Sequence, residues 1–227
     1  MKVDSGSSLT RRLAEDVGRF VAERSEILFN EHDFQMHLAV WLNMTRRYDG
    51  VEIEYYVPNS MARDAGYEWD SNLKLDLVVR SGDEYAVIEL KYPTRKVVTP
   101  ITRFGTLVPD VEVVKNHGAQ DLVSYHFWKD VRRIEIVRNL FPDSVKGGLA
   151  VILTNEPYYL KGPGAGTICE AFSTAQGRSG VHGKLDWTRR TKTAEGNPGF
   201  MLDGHYSVEW HPAEFSGEKF NYAIITI

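Results

Sequence analysis

The chain has 227 residues, 42% of them hydrophobic, a single cysteine and a formal net charge of −4. That length and apolar content suffice to bury one sizeable core, so a single domain over residues 1–227 is expected, and the mild acidity excludes a general polyanion binder. Cys169 alone excludes an internal disulfide and a cysteine zinc cage, and neither a signal peptide nor an apolar run of the ~20 residues a membrane span needs is evident, so a cytoplasmic protein with no membrane partner is expected.

In chain order, Leu9, Leu13, Val17, Phe20 and Val21 mark a first amphipathic helix. Asn30 is a good N-cap, Asp33 follows as a capping-box acid, and Phe29 and Phe34 stand where a hydrophobic staple needs them. The second helix therefore starts at Glu31, buries Phe34, Leu38, Trp41 and Leu42, and carries Glu31 and Gln35 together on one face. Residues 51–57 alternate as a strand with Glu54 on its polar side.

Leu73, Leu75, Leu77 and Val79 alternate with Lys74, Asp76, Val78 and Arg80, the period-two pattern of a strand with unlike faces. Residues 85–92 form a second β-rich run, and the intervening Gly82 and Asp83 suit a tight turn, so the two runs form an antiparallel hairpin. With 81–84 as the loop, Arg80 opposes Tyr85, Asp76 opposes Glu89 and Lys74 opposes Lys91. Opposed side chains share a face with Cβ atoms about 4.5–5.5 Å apart, where two carboxylates repel unless a cation or a proton intervenes. Mg²⁺, with Mn²⁺ as substitute, suits Asp76, Glu89 and the Leu90 carbonyl as hard oxygen ligands. Lys91, on the same face as Glu89, can then reach an attacking water or the charge developing on a phosphoryl group. The competing reading is a charged solvent face, but Val87, Ile88 and Leu90 point to a strand covered on both sides.

Residues 94–115 form a long insertion punctuated by Pro and Gly, and Arg95, Lys96 and Arg103 would let it close over a phosphate backbone. Leu122, Tyr125, Trp128, Val131 and Ile134 stripe a long helix over 118–135, and the apolar run 148–154 reads as a buried parallel strand after it. Glycines 162, 164 and 166 lack the phosphate-loop pattern and read as a plain loop, while 200–202, 205–210 and 220–227 read as strands extending the sheet. Basic clusters occur at Arg46 and Arg47, at Lys129 with Arg132 and Arg133, and at Arg189 and Arg190 with Lys192, where Trp187 could stack on a base. The histidines show no persuasive zinc spacing.

Asp76, followed across a hairpin by Glu89-Leu90-Lys91, resembles the signature of the PD-(D/E)XK nuclease superfamily, over about residues 30–155, although no proline precedes the first acid. The resemblance implies an α/β fold with a restriction-endonuclease-like central mixed sheet flanked by helices, here with a core of about 27–155 and a β-rich C-terminal extension of about 156–227. It implies a Mg²⁺-dependent nuclease, acting on DNA before RNA, with Asp76 and Glu89 as metal ligands and Lys91 assisting catalysis. It also implies a helix acid at the cleft edge, for which Glu31 is the candidate and Glu54 the rival. The superfamily's Gln-x-x-x-Tyr helix motif points to Gln120 as a cleft residue; Tyr125 is five residues on, about 140° round the helix, and is expected in the core. A homodimer stays open. The alternative from another class is a non-catalytic nucleic-acid- or protein-binding module that kept the fold.

Overall fold

The computed structural model describes residues 8–69 and 71–227. Helices α1 (Ser8–Glu23) and α2 (Glu31–Met44) come first, followed by β1 (Gly50–Val57), the short α3 (Asn59–Asp64), β2 (Leu73–Ser81) and β3 (Glu84–Lys91). The cap of α2 forms as its sequence predicts. The Asn30 side chain accepts from the Asp33 N–H at 2.8 Å, and Asp33 accepts from the Phe29 N–H at 3.0 Å. Next come β4 (Val97–Arg103), β5 (Thr106–Val114), α4 (Gln120–Leu140) and β6 (Val145–Thr154). The C-terminal part holds α5 (Pro157–Lys161), β7 (Val181–Leu185), α6 (Lys192–Gly196), β8 (Phe200–Tyr206), β9 (Trp210–Phe215) and β10 (Glu218–Thr226).

Six strands form one mixed sheet in the order β1-β2-β3-β6-β10-β9, with β3 and β6 parallel and the other neighbours antiparallel. On one face, α1 and α2 cover Leu77, Val79, Ile88, Leu90 and Val151. On the other, α4 covers Val78, Val87, Ala150 and Ile152. Gly148 allows that second contact, because a Cβ there would lie 2.5 Å from the Val87 carbonyl oxygen and 2.8 Å from Ile134 Cγ2. Among the described residues no helix is long and apolar enough to cross a membrane.

Several sequence expectations are corrected. The 94–115 insertion is an antiparallel hairpin, β4 with β5, because it pairs with itself from Val97↔Val114 to Arg103↔Thr106. Of the C-terminal strands only β9 and β10 extend the main sheet. The residues 200–206 pair with β7 as a separate two-stranded sheet packed on α4. In the β2–β3 hairpin the strands run to Ser81 and Glu84, and Arg80 opposes Tyr85 as expected. The expected single apolar face of β2 does not hold. Leu73 and Leu75 pack on the α4 side, Leu77 and Val79 on the α1–α2 side, so the strand changes face at Asp76. Opposite it in β1, Glu54 sits at φ 51°, a left-handed conformation that interrupts the pleat.

The α4 helix is fastened to β8 by a buried carboxylate. Glu135, fully buried, accepts from the N–H groups of Asp203 and Gly204 at 2.9 and 2.7 Å and from the Tyr206 hydroxyl at 2.7 Å. Its other oxygen meets the Arg132 guanidinium at 3.0 Å, which also reaches Asp203 at 2.6 Å. Removing one partner from such a network leaves the others unpaired inside the protein. Glu135→Ala is therefore expected to lower the unfolding free energy by about 3–5 kcal/mol, read from the denaturant midpoint, with Glu135→Gln losing less. A loss below about 1 kcal/mol would show that the clamp contributes little.

Candidate active site

The break in the sheet at Asp76 assembles the polar cluster. The β2–β3 ladder runs as far as Leu77↔Ile88; beyond it, side chains take over the hydrogen bonds. The Asp76 carboxylate accepts from the Leu90 N–H at 2.7 Å, and the Asp76 N–H points to Glu89 Oε2 at 3.4 Å. The Asp76 carbonyl accepts from the side chain of Gln35 on α2 at 2.7 Å, and the same amide also donates to Glu54 at 3.2 Å. Gln35 is nearly fully buried, so it acts as a brace between α2 and the two strands. Strand β2 leaves β3 here, and Lys74 is not paired with Lys91 as the extrapolated register required. Lys74 is exposed and lies 3.9 Å from Glu54.

Three elements converge on the gap. Strand β3 carries Glu89, buried beneath α4, and Lys91 at its end. The first turn of α2 supplies Glu31, which accepts from the Tyr92 N–H at 2.9 Å and lies 3.6 Å from the Lys91 ammonium. Helix α4 supplies Asp130 and Arg133. Asp130 meets Lys91 at 2.8 Å and Arg133 at 3.0 Å, while Arg133 reaches Glu89 at 3.2 Å and also donates to the Lys74 carbonyl. The Leu90 carbonyl accepts from the Lys91 ammonium at 2.8 Å. Asp76, Glu89, Leu90, Lys91 and Glu31 are thus neighbours.

Other residues named from sequence lie elsewhere. Gln120 begins α4, ten residues and so about 15 Å along the axis from Asp130. Tyr125 is buried and hydrogen-bonded to Trp69 and to the Pro198 carbonyl. In the β4–β5 region Arg95 pairs with Glu156 and Lys96 with Glu112, each at 2.8 Å, and Arg103 lies over the Phe29 ring at 4.9 Å. Trp187 is buried and stacks on Tyr125 at 5.5 Å, so it does not present a face to a base.

Asp130 escaped the sequence reading. It lies three residues after Phe127 and four before Ile134, inside the apolar stripe of α4, and an acid at such a position signals a buried polar contact. His126 and Lys129 precede Arg133 on the same flank, with Lys129 over the Trp69 ring at 4.7 Å.

Four carboxylates here meet two inner cations, Lys91 and Arg133, which leaves two negative charges in excess when all are ionised; Lys129 at the rim offsets one. Burial, reinforced by Asp130 and only partly opposed by Lys91, pushes the Asp76 carboxyl up to about 6. Burial likewise raises Glu89 well above the usual carboxylate range despite Arg133. Asp130 moves the other way. Lys91 and Arg133 overcome its burial and keep it ionised. Burial works against the Lys91 ammonium, but Asp130, Glu31, Asp76 and Glu89 more than compensate and hold it protonated. Burial and Arg133 lower Lys129 to about 8, and burial lowers His126. Glu89 Oε1 and Asp130 Oδ2 are buried without a well-directed hydrogen bond, although each has a cation within ionic range. Among the described residues no group of three or more His, Cys, Asp or Glu side chains gathers closely enough to hold a metal by itself.

The Asp76 proton links this frustration to stability. The folded protein binds it more tightly than the unfolded chain does, so the carboxyl favours folding below 3.8 and loses that contribution as pH rises through about 6. Asp76→Asn keeps an oxygen for the Leu90 N–H and removes the charge. With a chelator present it is expected to raise the unfolding free energy at pH 8 by roughly 1–3 kcal/mol, a gain that fades towards pH 4. Denaturant titrations at the two pH values check this; equal stabilities at pH 8 would refute the excess-charge account. Comparison with protein-family models, with curated proteins and with solved structures gives no match to this chain.

Proposed function

We propose that the protein is a metal-dependent nuclease that hydrolyses phosphodiester bonds, in DNA before RNA, on a restriction-endonuclease-like core. The observation that carries this reading is the convergence of Asp76, Glu89 and Lys91 with Glu31 and Asp130 at the break in the β2–β3 ladder, an oxygen-rich cluster short of positive charge. The order of elements supports it as well: an acid-bearing helix, the hairpin, and a helix that crosses to the parallel strand β6.

The residues present fit a small divalent cation in charge and in donor chemistry. Mg²⁺ takes hard oxygen ligands and is commonly held by one or two carboxylates, with water and phosphate oxygens in the remaining positions. Asp76, Glu89 and the Leu90 carbonyl would hold it, and Glu31 stands at the edge of the same gap. When bound, it would polarise a phosphoryl oxygen and lower the pKa of a coordinated water.

The protein's own groups do the rest. Lys91, held cationic by Asp130 and Glu31, places a fixed positive charge where negative charge develops on the phosphoryl oxygens. Asp130 and Arg133 position it and Glu89 by packing α4 on the strand. Gln35 holds the Asp76 backbone, so its carboxylate keeps its aim. One observation favours the other reading, a non-catalytic module. Lys91 and Glu89 are already engaged by Asp130 and Arg133, as in a purely structural ion-pair network.

The deciding assay compares wild type with Asp76→Asn and Lys91→Ala on DNA and RNA panels with Mg²⁺ or Mn²⁺. Each change is expected to cut the cleavage rate by about 10²-fold or more, and calorimetry should find metal binding in wild type that Asp76→Asn weakens. Cleavage indifferent to both substitutions would end the nuclease proposal.

A further inference from the structure

Of the three basic clusters in the sequence, two are largely spent within the fold. Arg47 pairs with the buried Asp16, and Arg132 and Arg133 are taken up by Glu135, Asp203, Glu89 and Asp130. The third cluster is different. Arg189, Arg190 and Lys192 are all exposed, and among the described residues none of them makes an ion pair.

The segment bearing them is anchored on both sides. Trp187 anchors it through its stack on Tyr125 and an indole N–H donated to the Asn197 carbonyl at 2.6 Å. Thr188 donates its N–H to the Ile168 carbonyl at 3.1 Å, and Thr191 caps α6 by accepting from the Ala194 N–H at 3.2 Å. Between this segment and the Pro198–Gly199 turn lies a groove of about 690 Å³, with Lys184, Arg189 and Arg190 on its lining. Its acids do not cancel these charges. Asp186 is engaged by Lys184 at 2.7 Å, which leaves Glu195 against the two arginines.

The groove is tied to α4, the helix that carries Asp130 into the acid cluster. Pro198 at the groove margin accepts from the Tyr125 hydroxyl at 2.9 Å, and His126 follows Tyr125 on α4. One turn along α4 from His126 are Lys129 and Asp130, the latter in contact with Lys91. Lys129 makes no ion pair among the described residues and rests on Trp69, which packs against Phe200 at 5.6 Å.

We propose that this groove grips the phosphate backbone of a polynucleotide, which leaves the acid cluster over His126 and Lys129 and runs past Arg189 and Arg190. The inference rests on the nuclease reading for its partner, and it assigns the contact to the C-terminal elaboration. Contacts of this kind are made to phosphates, so they hold and orient any sequence alike. Arg95, Lys96 and Arg103 of the β4–β5 region, by contrast, already have partners in Glu156, Glu112 and Phe29.

The test measures binding apart from cleavage. Labelled single-stranded and duplex DNA would be titrated with full-length Asp76→Asn protein in chelator over a salt series, read by fluorescence anisotropy. The same titrations would follow in that background with Arg189→Ala/Arg190→Ala, with Lys129→Ala, and with Arg95→Ala/Lys96→Ala. Loss of the two arginines is expected to weaken binding about tenfold and to lower the slope of log affinity against log salt by about 2, Lys129→Ala to lower it by about 1, and the hairpin pair to leave it unchanged. Unaltered thermal midpoints would show that the variants fold. An unchanged slope on loss of Arg189 and Arg190, or binding of an acidic peptide or anionic vesicles in place of both DNAs, would overturn the proposal. If the arginine variants lose DNA while wild type cleaves nothing, the groove stands and the nuclease reading falls. If wild type cleaves and the arginine variants match it in KM and in salt dependence, the reverse holds.

Discussion

The arrangement around Glu89 depends on one constraint: a carboxylate in the middle of a covered strand, beneath a helix that brings a second carboxylate to it. Glu89 and Asp130 are both almost fully buried, and Asp76 joins them from the break in β2. A seam selected for stability alone would be apolar at these positions, since a buried ionic cluster is seldom worth more than well-packed hydrocarbon of the same volume. Lys91 and Arg133 bridge the acids without balancing them. Burial, reinforced by Asp130, raises the proton affinity of Asp76.

Helix α4 carries two such polar seams at once. Asp130 and Arg133, three apart, turn to the hairpin, whereas Arg132 and Glu135, also three apart, turn to β8. Neighbouring residues lie about 100° apart round a helix, so 132 and 133 serve different layers without competing. The β-rich C-terminal elaboration is therefore part of the scaffold that holds α4 on the sheet. The segment beside Arg189 is likewise tied to α4, by the stack of Trp187 on Tyr125 and the Tyr125 hydroxyl on the Pro198 carbonyl. Under the proposed reading that helix is the element joining chemistry to substrate grip, a role that the fold by itself would not dictate.

Much of the local structure was legible in the residues. The α2 cap at Asn30, the apolar stripe of α1, the Arg80↔Tyr85 register and the parallel strand expected at 148–154 follow from short-range rules. The nearness of Asp76, Glu89 and Lys91 was legible in the hairpin pattern, whereas Glu31 entered only through the superfamily resemblance. The face change at Asp76 was not legible, because it depends on Glu54 adopting a left-handed conformation in the neighbouring strand. The 94–115 hairpin was hidden by prolines and a glycine that read as loop, and β8 by a strand pattern that says nothing about which sheet it joins.

Taken alone, then, the sequence determined which residues could share a strand face or a helix face, since those periods are set by the backbone geometry of each element. It placed two acids and a lysine within reach of one another and favoured, of three basic clusters, the one at Arg189, Arg190 and Lys192, for a stacking role of Trp187 that the fold does not allow. Only the tertiary structure decided that Asp130 and Arg133 close the acid cluster, that Trp187 is core, and that Arg189 and Arg190 stay exposed without an ion pair among the described residues. Those outcomes turn on which acid each cation meets across the packed layers. Such pairings join residues far apart in the chain, and no local period encodes them.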